Sequence, residues 1–151
     1  ALGWDCRAVG SFVSGIDLLG IYNYELTVPQ AAIDGNGHVN NVDYLRWMLD
    51  AATAHADAVG GTGIAEQFGA TWFVKSHRID YLRPAFLDDN LVIQTWVASV
   101  SRVRSTRKYR IVRGDEPLVV GETDWVFVDV ETGRPRIIPQ DVMDCFVVVE
   151  A

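Results

Sequence analysis

Between Asn41 and Val59 the polar residues fall at Asp43, Arg46, Asp50, Thr53 and Asp57, in steps of three or four. That spacing draws one narrow polar stripe down a helix whose other positions include Val42, Tyr44, Leu45, Trp47, Met48, Leu49 and a series of alanines. A helix with so little polar surface is buried around most of its circumference. The rest of the chain must therefore cover it. Asn40 or Asn41 caps its start, Asp43 sits in the first turn where negative charge is favoured, and Gly60-Gly61 stops it. At 1.5 Å per residue the helix runs roughly 28 Å.

What covers it reads as strand. Ile21 to Val28, Thr71 to Arg83, Leu91 to Val100, Arg102 to Val112 and Leu118 to Val130 carry period-two patterns rich in branched and aromatic residues. A shorter helical turn is expected at Ile64 to Phe68. Connections are short at Arg83-Pro84, Asp88-Asp89-Asn90 and Gly114-Asp115, which predicts antiparallel neighbours. One long apolar helix among strands in this order is an α+β architecture, with a sheet curled about the helix.

A chain of 151 residues has room for one domain, here residues 21–151 behind an irregular lead-in of residues 1–20. With 49% apolar and 22% charged residues it has the makeup of a globular protein rather than a disordered one. No apolar run is long enough to span a membrane. The apolar stretch from Val9 to Tyr22 is interrupted by Ser11, Ser14, Gly15, Asp17 and Gly20, so no signal peptide is expected. Cys6 and Cys145 form no close pair, which argues against a zinc site or a disulfide framework and favours a reducing cytoplasm. No metal or other cofactor is expected.

The net charge of −7 excludes a general nucleic-acid binder. Yet Arg102, Arg104, Arg107, Lys108, Arg110 and Arg113 form an acid-free basic stripe. Either it is a solvated strand face or it meets a small anion locally. On a period-two strand Arg102 and Arg104 share one face, where both reach the same phosphate.

Chemistry concentrates in Asp34-Gly35-Asn36-Gly37-His38-Val39-Asn40-Asn41, just ahead of the buried helix. Free N–H groups at a helix start, with about half a positive charge from the macrodipole, polarise a carbonyl or hold an anion. A carboxylate beside them can act as base or nucleophile. The plainer alternative is an Asn36-Gly37 hairpin turn with Asn40 as cap. His55 and His77 are expected to be structural, and the three histidines are too scattered for a metal site.

The run Asp34-x-Asn36-x-His38-Val39-Asn40-Asn41-x-x-Tyr44-Leu45-x-Trp47 resembles the hotdog-fold thioesterases, most closely the acyl-ACP and 4-hydroxybenzoyl-CoA thioesterase-like branches. Ile79 to Ala85 with Asp88-Asp89, and Trp125 to Phe127 with Thr132 to Pro135 and Ile138-Pro139, extend the similarity over roughly Ile21 to Val142. The resemblance implies a hotdog fold, an antiparallel β-sheet wrapped around one long central helix, assembled as a homodimer or a dimer of dimers. It implies hydrolysis of an acyl thioester carried by CoA or acyl carrier protein. By position, Asp34 becomes the catalytic carboxylate and the Asn41 amide the carbonyl-polarising donor, with Asn36 and His38 completing the motif. Asn40 and Tyr44, within the motif, are candidate substrate contacts, and Arg102 and Arg104 join them from the reading of the basic stripe. Two positions depart from the family: Ala32 replaces a second Asp of many bacterial relatives, and Pro84-Ala85 stands where the plant enzymes carry Glu-Cys. A hotdog hydratase would have its His five residues after Asp, whereas His38 is four after Asp34. A non-catalytic acyl-binding hotdog, the other alternative, would be favoured by loss of Asp34, which is present. Trp47, Phe68, Trp72 and Phe73 are candidates to line an acyl pocket or to fill the core.

Overall fold

The computed structural model describes residues 15–150. The expectations for residues 1–14, Cys6 among them, lie outside the described residues. The elements are β1 (Gly15–Ile16), β2 (Tyr22–Thr27), a 3-10 turn (Gln30–Ala32), α1 (Asn41–Ala58), α2 (Gly61–Gln67), β3 (Ala70–Tyr81), β4 (Asn90–Val100), β5 (Arg104–Arg113), β6 (Glu116–Asp129) and α3 (Gln140–Met143). The six strands form one antiparallel sheet in the order β1-β2-β4-β5-β6-β3. This is the expected hotdog: one sheet curled about α1. β-Bulges between Val74 and Ser76, Val97 and Ser99, and Ile111 and Val112 supply local bends.

α1 follows from its sequence. The Asn40 side chain accepts the Val42 N–H at its start. The helix ends where Gly60 takes φ +80°, a conformation side chains resist. Tyr44, Trp47, Met48, Ala51, Ala52 and His55 are buried, spaced three and four apart. All but His55 pack on Leu91 and Ile93 of β4, Tyr109 and Ile111 of β5, and Leu118 and Val119 of β6. Each large apolar side chain sealed there contributes about 1.5–3 kcal/mol. Arg46, Asp50, Thr53 and Asp57 point to solvent, as the stripe predicts. The helix is nevertheless less enclosed than its composition suggests. Val42 is 62% exposed and Leu45 and Leu49 are half-buried, because a single sheet covers one side only.

Three expectations are corrected. The lead-in is not irregular throughout, since Gly15–Ile16 pairs with β2. β3 and β4 are not neighbours: β3 pairs with β6 and β4 with β2, so residues 82–89 cross between the two sides of the sheet. That crossing passes the start of α1, where the Tyr44 hydroxyl accepts the Ala85 N–H at 3.0 Å. Arg102 lies in the β4–β5 hairpin rather than on a strand. The bond from Ser101 N–H to the Arg104 carbonyl closes that turn, so Arg102 and Arg104 do not share a strand face.

Candidate active site

Residues 33–40 form a small hairpin that delivers the chain into α1. Ile33 bridges Val39, the Asp34 N–H donates to the His38 carbonyl at 3.0 Å, and the Gly37 N–H donates to the Asp34 carbonyl at 3.1 Å. Gly37 has φ +82°, which its lack of a Cβ permits. The Asp34 carboxylate turns back on its own loop, Oδ1 accepting the Asn36 N–H at 2.8 Å. The two readings of this segment are thus compatible. The hairpin and the cap form, and they place Asp34 and His38 opposite each other at the helix start.

The cap settles which helix amides are free. Asn40 Oδ1 accepts the Val42 N–H at 3.1 Å and the Asn40 carbonyl accepts the Asp43 N–H at 3.0 Å. Among the described residues the Asn41 N–H has no acceptor. It is the first amide of an eighteen-residue helix, so the helix dipole favours negative charge beside it. Asp34 is half-buried, while Asn36, Asn40 and Asn41 are exposed. His38 is half-buried and meets the Phe86 ring edge-on at 6.5 Å.

The crossing segment closes one side of this loop. The Val39 N–H donates to the Ala85 carbonyl at 2.9 Å and the Tyr44 hydroxyl holds the Ala85 amide, so one residue ties the hairpin to the helix. Tyr44 is 2% exposed, and burial raises its pKa above the usual phenol value. It therefore stands beneath the site as a support. Tyr81 donates its hydroxyl hydrogen to the Asn41 carbonyl at 3.1 Å. Arg113 fixes the crossing segment from the sheet, with Asp89 at 2.7 Å and Glu116 at 2.6 Å. Those two hydrogen bonds hold the Arg113 pKa above its ordinary value. Tyr81, Ala85 and Arg113 carried no signal in the sequence beyond their resemblance segment or stripe, because the crossing brings them in from distant positions. Around the loop Tyr81, Leu82, Phe86 and Leu87 are all exposed, an apolar collar about the helix start.

Other predicted residues lie elsewhere. Arg102 and Arg104 are exposed at the opposite end of β5 from Arg113, roughly 30 Å of strand away. His77 sits on the edge strand β3, its Nδ1 2.8 Å from Thr123 Oγ1. Trp47 is buried in the main core, and Phe68 and Trp72 border a second apolar cluster. Phe73 is 65% exposed on β3. No helix among the described residues is long and apolar enough to cross a membrane.

Comparison with known proteins agrees with this architecture. A family model described as the thioesterase-like superfamily matches residues 28–146. No curated protein matches. Among solved structures, a 1,4-dihydroxy-2-naphthoyl-CoA thioesterase from Synechocystis is similar at 21% identity and TM-score 0.75, over 83% of this chain and 95% of that one. A DHNA-CoA thioesterase from Staphylococcus aureus is similar at 22% identity and TM-score 0.74, over 83% of this chain and 87% of that one. An acyl-ACP thioesterase from Bacteroides thetaiotaomicron is similar at 20% identity and TM-score 0.79. That match covers 87% of this chain and 55% of the other, so this chain spans about half of it.

Proposed function

The chain belongs to the thioesterase-like superfamily, and on that premise we propose that it hydrolyses acyl thioesters of CoA or of an acyl carrier protein. The observation that carries the proposal is the unpaired Asn41 amide at the start of α1, beside a turn that presents the Asp34 carboxylate. The thioester carbonyl oxygen accepts from the Asn41 N–H, and the oxyanion that forms there is stabilised by that donor and the helix dipole. A single such donor is typically worth ~3–4 kcal/mol of barrier.

With Oδ1 of Asp34 held by the Asn36 amide, Oδ2 is left to act. It takes a proton from water as the water oxygen bonds to the carbonyl carbon. The carbon–sulfur bond then breaks and the proton passes to the departing thiolate, leaving free acid and thiol. Direct attack by Asp34 reaches the same products through an anhydride that water opens. Asn36 positions the carboxylate, and His38 with Phe86 walls the approach. Asn40 serves by capping the helix, which leaves the neighbouring Asn41 amide for substrate. Arg102 and Arg104 meet the carrier's phosphates from a second copy of the chain, given their distance from their own loop.

Thiol release across parallel panels of acyl-CoA and acyl-carrier-protein thioesters tests the proposal. We expect turnover well above background on at least one thioester class. No turnover on either panel would refute it.

A further inference from the structure

A cavity of about 830 Å³ lies at the other end of α1 from the Asp34 loop. Its origin is legible in side-chain size. Where the first half of α1 sends Tyr44, Trp47 and Met48 to the sheet, the second half offers Ala52 and Ala56, and Ala65 and Ala70 continue the small wall. Trp72, Val97, Val142 and Phe146 complete a mostly apolar lining. Volumes of this order accommodate small-molecule ligands.

One group in that wall does not fit an apolar core. Arg107 of β5 is 5% exposed and borders the cavity. Its Nη1 donates to His55 Nδ1 at 2.8 Å and to Thr95 Oγ1 at 3.0 Å, and its guanidinium lies over the Phe146 ring at 5.8 Å. A guanidinium only donates, so His55 Nδ1 is the acceptor and the imidazole is neutral. Neither partner is an anion. Among the described residues Arg107 has no carboxylate within ion-pair distance, and its Nε and Nη2 make no hydrogen bond. The acids bordering the cavity, Glu66, Asp129 and Glu131, are placed otherwise: Glu66 and Glu131 are exposed, and Asp129 accepts backbone amides of its own turn. A buried cation without a counter-ion is costly, and buried charges are generally paired or hydrogen-bonded throughout.

We propose that this cavity is a binding site for a carboxylic acid with an apolar body, the carboxylate seated on the free edge of Arg107 and the chain lying among the alanines, Trp72 and Phe146. Arginine is suited to the role because its planar fork matches a carboxylate with two parallel bonds. The packed layer of Tyr44, Trp47 and Met48 lies between this cavity and the start of α1, which makes it distinct from the thioester site. The proposal does not depend on hydrolysis.

Titration of the intact protein with decanoate and with decan-1-ol tests it, read by calorimetry and by the fluorescence of Trp72 and Trp125, both cavity-lining. Decanoate should bind at least tenfold tighter than the alcohol. Arg107→Met, which keeps bulk and removes charge, should abolish that preference. Ala56→Leu, which fills the cavity and leaves the guanidinium in place, should weaken both ligands, and it decides the matter if the Met variant fails to fold. Equal affinity for acid and alcohol in the unmodified protein, or a preference that survives Arg107→Met, would overturn the proposal.

Discussion

Tyr44 shows how one side chain serves both stability and site geometry. Its ring is sealed against Trp47 and Tyr81, and its hydroxyl is the acceptor for the Ala85 amide in a buried setting. Removing the hydroxyl leaves that amide without its partner, at a cost of about 1–3 kcal/mol. Tyr44→Phe should lower unfolding stability by that amount in urea denaturation. It should also slow hydrolysis, since Ala85 holds Val39 and hence the Asp34 hairpin. Unchanged stability and rate would show that the tyrosine is only filler. Its recurrence in the resemblance motif suggested a substrate contact, whereas its burial supports a positioning role. The sequence names a residue's chemistry far more readily than its depth.

At the scale of elements, α1 was legible because a polar stripe at helical spacing is a statement about burial. Asp50, Thr53 and Asp57 had to face water, so Met48, Ala51 and Ala52 had to face the sheet. β5 was legible as a strand but not as a surface. Its alternation separates Arg104, Thr106, Lys108 and Arg110 from Ser105, Arg107, Tyr109 and Ile111, yet period two does not say which set faces inward. The basic stripe is thus divided: Arg110 points out, Arg107 is buried, and Arg113 clamps the crossing segment. Tyr109 and Ile111 sharing the parity of Arg107 was the available signal. His55 records the consequence. Burial, and then the charge of Arg107, lower its pKa to about 3. Between that value and the unfolded value near 6.5 the unfolded chain holds a proton that the folded chain does not, so stability falls as pH drops through this window. The slope from this group is at most ~1.4 kcal/mol per pH unit. Chemical denaturation at pH 7 and pH 5 should therefore show a smaller loss for His55→Gln than for the unmodified protein. Equal losses would mean that His55 is not held neutral.

The whole molecule carries apolar surface that one copy does not cover. Among the described residues β3 is an edge strand of twelve residues with Phe73 largely exposed, and Val42, Tyr81, Leu82 and Phe86 lie exposed near the helix start. Open edges of this length invite pairing, and a second copy laid along β3 would bury them. Light scattering at micromolar concentration should give twice the chain mass or a multiple of it, and a monomer would contradict that assembly. The crossing of residues 82–89 was not legible, because short connections fit neighbouring strands equally well. It is the feature that brings Ala85 to the hairpin and so completes the candidate site. The claim on which the functional account rests is that Asp34 acts on a carbonyl held at the Asn41 amide. The direct measurement is steady-state hydrolysis of the best thioester by Asp34→Asn, with folding checked by circular dichroism. We predict kcat reduced by about a hundredfold or more with KM little changed, as expected for a group acting in the transition state. A folded variant that keeps most of its kcat would remove Asp34 from the reaction.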